Sequence, residues 1–355
     1  MITKERNSNF ELLRLFSMFS IVFYHLLVFK INALSDSYWL YKGLTIISHF
    51  GVIVFVLISG WFGIKLSWKR IFNIYIPCIV YAILIYFLFA DKWELKTFLS
   101  LFFPFDNDNP LWFIPVYFYL CLLSPIVNKL LDSYSASDYI KTLLLLSIFE
   151  FYFGFIRGYE VAWEGRTIIC FIFLYILGRF CRILIATKLN NKLLKFRKCS
   201  LLILFFIFIG ILFCKYSGVV FLSKLSGSFF AYNSPGLIFI AILILIVFST
   251  FSIQLRAINF IASSSFAIYL IGSNPYILNF TNNVGEYLYK SSSFVGIQLM
   301  LLLFFSVIIC IVCLSIDLLI NNLFIKPFSS LICRILKAVE PFFVDIYNKI
   351  LRKIE

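Results

Sequence analysis

Apolar stretches about as long as a bilayer is thick recur from one end of this chain to the other. A helix needs roughly 20 apolar residues to cross a membrane. Runs of that kind lie near residues 10–29, 44–64, 71–90, 111–131, 141–156, 167–186, 200–214, 235–253, 258–279 and 295–324. They predict an all-α, polytopic membrane protein with about ten transmembrane helices. Composition agrees, since 62% of the 355 residues are hydrophobic and 14% are charged. A soluble chain carries about 25% charged residues, so a water-soluble globular enzyme and a disordered chain are both excluded. The longest polar connections, 91–110, 187–199 and 215–234, leave no room for a soluble domain.

The net charge of +14 reads as topology in so apolar a chain, and not as a nucleic-acid footprint. With the N-terminus inside, 22 of the 31 basic residues fall on the cytoplasmic side, among them Lys65, Lys69, Arg70, Arg179, Arg182, Arg197 and Lys198. The opposite loop 91–110 is acidic through Asp91, Glu94, Asp106 and Asp108. Both termini are therefore expected in the cytoplasm. Beyond residue 325, Leu331, Ile332, Ile335, Leu336, Val339, Phe342 and Phe343 follow helical spacing with Lys and Arg between them. That pattern predicts an interfacial amphipathic helix on the inner membrane surface, kinked at Pro341, that serves as an anchor. The expected division is a transmembrane domain over 1–325 and a cytoplasmic amphipathic tail over 326–355. The nine cysteines sit at irregular spacing, mostly within apolar runs, and read as small packing residues, the Cys310/Cys313 pair included.

Charged groups inside a span are costly and usually face a cavity or a partner. The first span, FELLRLFSMFSIVFYHLLVF, carries Arg14 and His25 eleven residues apart. That spacing misses whole turns by only about 20°, so both lie on one helix face, separated by roughly 16 Å along the axis. Arg14 belongs near the cytoplasmic surface and His25 beyond the midplane. A plainer reading stands beside each: Arg14 snorkels to lipid phosphate or pairs with Glu11, and His25 ties helices together. His49 opens the second span at its outer end, where it either approaches His25 or serves an interfacial structural role. Glu150 is the most deeply placed acid, in the same outer half as His25. It would act on that imidazole or pair with Arg157 or Arg166. Ser59, Gly60 and Gly63 allow close helix approach. Gly272, Ser273, Asn274 and Pro275 break a late span, and such non-helical backbone is tolerated where it is buried in protein or lines a cavity. The loop GYEVAWEGRT holds Glu160, Glu164 and Arg166 and suits the border of an acceptor site.

The chain lacks a GxGxxG after a strand, a phosphate loop and a Gly-x-Ser-x-Gly. Neither histidine is followed four residues later by Asp. Two histidines without clustered carboxylates argue against a metal site.

Taken together, these blocks resemble the acyltransferase-3 family of integral-membrane O-acyltransferases, above all the standalone members of polysaccharide biosynthesis. ERNSNFELLRLFSMFSIVFYHL is similar to that family's first span, which pairs an Arg with a His after ten intervening residues. GVIVFVLISGWFGIK and LWFIPVYFYLCLLSPIVNKLL follow in the family's order. So do WEGRTIICFIFLYILGRFCRI, YNSPGLIFIAILILIVFSTF and INFIASSSFAIYLIGSNPYI, and the resemblance covers about residues 5–325. It implies transfer of an acyl group, usually acetyl from acetyl-CoA, to a sugar hydroxyl, with no permanently bound cofactor. His25 takes the place of the essential His, as general base or transient acyl carrier, with Glu150 beside it. Arg14 takes that of the essential Arg, suited to coenzyme A phosphates with Lys69 and Arg70 as helpers. His49, Trp112, Glu164, Arg166 and Asn274 are the expected acceptor-binding residues. The implied partners are acyl-CoA, a polysaccharide or lipid-linked sugar, and the lipid of the plasma membrane. One departure is Gly272, where many relatives have a His directly after YLI; its role is lost here or falls to a group such as His49. Two other classes compete. A polysaccharide transporter or flippase needs a wide polar route, and a polymerase needs a large basic outer loop.

Overall fold

The computed structural model describes residues 7–28, 38–90, 92–104, 111–188, 193–220, 222, 231–336, 338–339 and 341. Among them every regular element is helical and no strand occurs. Seven helices are long and apolar enough to cross a membrane, and two further apolar helices, Pro235–Ser249 and Arg256–Gly272, are shorter. A tenth, α1 (Ser8–Leu26), has 19 residues and holds Glu11, Arg14 and His25. The chain is an all-α multi-pass membrane protein.

The order after α1 is α2 (Tyr38–Ser48), α3 (Gly51–Phe62), α4 (Trp68–Phe89), the short α5 (Leu95–Ser100) and α6 (Phe113–Asp132). Next come α7 (Ala136–Ser147), which runs on as a π-helix over Ile148–Ile156, then α8 (Ile168–Lys188) and α9 (Leu193–Tyr216). The late helices are α10 (Pro235–Ser249), α11 (Arg256–Ala262), α12 (Ser265–Gly272), α13 (Pro275–Lys290) and α14 (Val295–Ile320). Helical backbone continues past α14 through a π-helical turn at Asn321–Ile325 to Leu336. The boundary expected at 325/326 therefore lies within one continuous helix. The apolar stripe from Phe342 onward lies outside the described residues, as do both neighbours of Pro341, where a kink is expected, and Lys4, Arg6, Asp91, Asp106, Asp108 and Lys192.

α3 is the centre of the bundle. Val54, Val56, Leu57 and Ile58 are fully inaccessible, and the helix packs against α1, α8 and α10. Its contact with α8 depends on two glycines. A Cβ on Gly60 would run into the carbonyl oxygen of Tyr175, and one on Gly178 into that of Leu57. Backbone meets backbone at both places, the close approach that small residues permit. Gly60→Ala and Gly178→Ala are each expected to lower the melting temperature of the detergent-solubilised protein, because neither carbonyl can move aside as a side chain would. Overpacking of this kind costs about 1–3 kcal/mol. The outer surface is the reverse of a soluble one: Leu88, Leu145, Phe206, Phe213 and Met300 are all more than 60% exposed, as lipid-facing side chains are.

Polar side chains at the start of α1 fix its position. Asn7 caps it by accepting from the Asn9 amide (3.2 Å). The Asn9 side chain donates to the carbonyl of Phe251 and accepts from the amide of Ile253 (2.7 Å), and the Ser8 hydroxyl accepts from the amide of Leu255 (2.9 Å). Further along, Ser20 donates to the carbonyl of Ser48, and Gly51 sits against the carbonyl of Ser17. The Ser8 and Asn9 bonds hold the start of α1 to the 251–255 segment, and the Ser20 bond with the Gly51 approach holds its middle against the junction of α2 and α3, beside His49.

Candidate active site

Two polar cavities open on α1. The first, of about 400 Å³, is lined by His25 and Tyr24 of α1, by His49 between α2 and α3, and by Trp112, Arg166, Tyr232 and Tyr269. Ser48, Ser273, Asn279 and Asn282 complete its polar lining. The rings are ordered. His49 stacks on Tyr24 with centroids 4.3 Å apart and an interplanar angle of 2°, and lies 4.4 Å from Tyr232. Tyr24 is 5.5 Å from His25, so one tyrosine links the two histidines. Trp112 lies 5.1 Å from Tyr232, and the Arg166 guanidinium sits over Trp112 (5.5 Å), Trp163 (5.6 Å) and Tyr232 (6.0 Å). Such stacking helps to hold the cation in place.

The backbone beside Arg166 is strained. Trp163 (φ 25°) and Glu164 (φ 53°) are non-glycine residues in the left-handed region, followed by Gly165 at φ 79°. Gly165 leaves no room for a side chain against the Asn233 amide (2.5 Å), and the Tyr232 amide donates to the Glu164 carbonyl (2.9 Å). The 160–165 turn is thereby fastened to the Tyr232 segment. Strain of this kind is maintained where the surroundings over-determine it, commonly at ligand sites.

The second cavity, of about 480 Å³, takes Arg14 from α1, Ser59, Phe55 and Gly63 from the end of α3, and Lys69, Arg70 and Asn73 from α4. Arg14 also makes an ion pair with Glu11 (2.6 Å), whose side chain is 7% exposed against 28% for Arg14. Ser67 caps α4 by accepting from the Arg70 amide (3.3 Å), and the Arg70 guanidinium donates to the Lys65 carbonyl (2.9 Å). The Tyr117 and Ser59 hydroxyls meet at 3.0 Å on the wall. Between the cavities lies a thin aromatic partition. Buried Phe113 stacks on Tyr117 of the second cavity (5.3 Å) and meets Tyr269 of the first edge-on (5.5 Å).

Several residues singled out from sequence come together here. His25, His49, Trp112 and Arg166 share the first cavity, and Arg14, Lys69 and Arg70 share the second. Three stand elsewhere. Glu164 pairs with Arg166 at 3.5 Å on a side chain that is 67% exposed, outside the lining. Asn274 caps α13, accepting from the Tyr276 amide (3.2 Å), a role set by the break before Pro275. Glu150 is fully buried but does not line the cavity. It sits beside Asn233 and Cys170. Asn233 follows Tyr232, so Glu150 belongs to the layer behind the cavity wall. Arg166 pairs with Glu164 rather than with Glu150, and Arg157 stacks on Tyr152 at 5.9 Å.

Tyr24, Tyr232, Tyr269, Asn279 and Asn282 are lining residues that sequence reading did not single out. For the two asparagines the signal was present: NFTNNVGEY is a polar interruption after the Pro275 break, and it folds as the amphipathic α13. At Gly272 a Cβ would touch, among the described residues, only Val22 (3.9 Å) and Ile309 (4.0 Å), two apolar side chains that are in the lining of neither cavity. Among the described residues no three His, Cys, Asp or Glu side chains come together as a metal site.

A family model described as an acyltransferase domain, that of the acyltransferase-3 family, matches residues 7–320. No curated protein and no solved structure matches the chain. The family match spans α1 to α14 and takes in every residue of both cavities, so the chain belongs to the acyltransferase-3 family and is a membrane acyltransferase.

Proposed function

We propose that the protein moves an acyl group, acetyl in the simplest case, from acyl-CoA to a sugar hydroxyl of a cell-surface or secreted polysaccharide or of its lipid-linked precursor. One observation carries the reading: a single helix presents Arg14 to a basic cavity and His25 to an aromatic, polar one, with one aromatic layer between them. The axial distance of roughly 16 Å is comparable with an extended pantetheine arm. In this reading the protein lies in the plasma membrane with both termini cytoplasmic, and the basic cavity faces the cytoplasm. Arg14, Lys69 and Arg70 hold the donor phosphates, and the thioester reaches past Phe113 to His25.

The chemistry then balances within the first cavity. His25 takes the proton of the sugar hydroxyl as its oxygen bonds to the acyl carbon; the carbon–sulfur bond breaks, and the proton leaves with the coenzyme A thiolate. A sugar has apolar C–H faces and polar edges. It suits walls formed by Trp112 and Tyr232, with Ser48, Ser273, Asn279 and Asn282 as hydrogen-bonding groups. Membranes containing the protein, given acetyl-labelled acetyl-CoA and the native polysaccharide, are expected to deposit label as an alkali-labile ester. Unlabelled polysaccharide, with donor intact, would reject the reading and favour a transporter.

A further inference from the structure

A third cavity, of about 610 Å³, adjoins the basic one. It is lined by Lys69 and Asn73 of α4 and by Lys326, Ser329, Ser330, Cys333 and Arg334 from the helical extension beyond α14. Lys69 and Asn73 line both cavities, so the two form one groove. Arg14 and Arg70 line the basic cavity, Lys326 and Arg334 the third, and Lys69 both. Among the described lining residues none is acidic. The extension is attached to the wall by buried Ser329, whose hydroxyl donates to the Asn73 side-chain oxygen at 3.1 Å. Lys326 is steadied by Asn322 at 2.6 Å. This segment lies beyond residue 320, where the family match ends.

We propose that the segment Lys326–Arg334, expected from sequence to act as an anchor, completes the donor site and binds the 3′-phosphate of the coenzyme A adenosine. The inference rests on the acyl-CoA reading above. Coenzyme A carries two anionic groups apart from each other, a pyrophosphate and a ribose 3′-monophosphate, and the groove carries two cationic groups apart from each other. Arg14 and Arg70 suit the pyrophosphate next to the pantetheine arm. Lys326 and Arg334 are the cations left for the more distant monophosphate, and an arginine–phosphate contact is among the stronger charge-assisted pairs. Lys69, shared between the two cavities, bridges the two groups. A lipid headgroup would offer the same phosphate chemistry to these side chains, so the test separates the two sources.

The purified full-length protein, in nanodiscs of zwitterionic lipid, is titrated calorimetrically with coenzyme A and with dephospho-coenzyme A, which lacks only the 3′-phosphate. The wild type is expected to bind coenzyme A about tenfold more tightly, the contribution of one charge-assisted contact. In the Lys326→Ala/Arg334→Ala variant that preference should vanish while dephospho-coenzyme A binds as before. A variant that keeps the preference overturns the proposal. So does one whose only change is a weaker response of its melting temperature to added anionic lipid, which would assign the cations to a headgroup. A wild type that binds neither nucleotide overturns the donor reading itself, and a wild type that binds both equally overturns only the role of the extension.

Discussion

Replacing His25 by Ala is expected to lower the rate of acyl-ester formation on the isolated polysaccharide by about 10²- to 10⁴-fold, the range for loss of a positioned general base. His25 lines the aromatic cavity on the rigid α1, whose start is fastened to the 251–255 segment and whose middle is fastened to Ser48. The variant should therefore reach the membrane in normal amounts, because Ser8, Asn9 and Ser20 fasten the helix and stay in place. The comparison is His49→Phe, which preserves stacking on Tyr24 and Tyr232 and, since His49 lines the acceptor cavity, should raise the acceptor KM more than it lowers kcat. Normal acylation in His25→Ala at wild-type protein levels would remove His25 from the chemistry. Loss in both variants to the same extent would mean that the two histidines act as a unit.

Arg14→Ala is expected to raise the KM for acyl-CoA by about 10- to 100-fold, the worth of one or two charge-assisted contacts, while the KM for the acceptor stays near the wild-type value. A structural effect overlies the functional one. Glu11 is buried, and one of its oxygens already has no hydrogen-bond partner. Removing its ion-pair partner leaves a buried carboxylate uncompensated, which destabilises by about 1–2 kcal/mol after discounting for the 28% exposure of the arginine side chain. The double variant Glu11→Gln/Arg14→Ala separates the two effects. It should recover thermal stability, because a neutral amide is cheaper to bury, and it should still bind the donor poorly. Recovery of donor affinity together with stability would make Arg14 a structural residue.

The legible part of the site follows from where charge is expensive. Arg14, His25 and Glu150 stand out because an apolar chain makes each polar exception costly, and all three are at least partly buried in the structure. The eleven-residue spacing of Arg14 and His25 was informative because helix geometry is rigid. Glu150 shows the limit of that reasoning. Its depth was readable, but which way its side chain points depends on the π-helical turn over Ile148–Ile156, and that turn sends it behind Tyr232 and not into the cavity. Asn274 shows another limit, since an asparagine before Pro275 serves as a helix cap or as a ligand contact with the same sequence signature.

The sequence by itself determined the solvent, the helix inventory and the family. Length and hydropathy of each segment are local properties, and a bilayer accepts only helices from such segments. The break at Gly272–Pro275 and the small residues of LISGWFG were readable for the same local reason. Only the tertiary structure decided which polar side chains share a cavity. Tyr24, Tyr232 and Asn282 come from α1, the segment before α10, and α13, and nothing in their separate neighbourhoods specifies that they meet. It likewise joined the helical extension beyond α14 to α4 through Ser329 and Asn73, at a cavity that both elements line. Packing against a distant partner has no local signature, so the cavity walls became visible only once the helices were assembled.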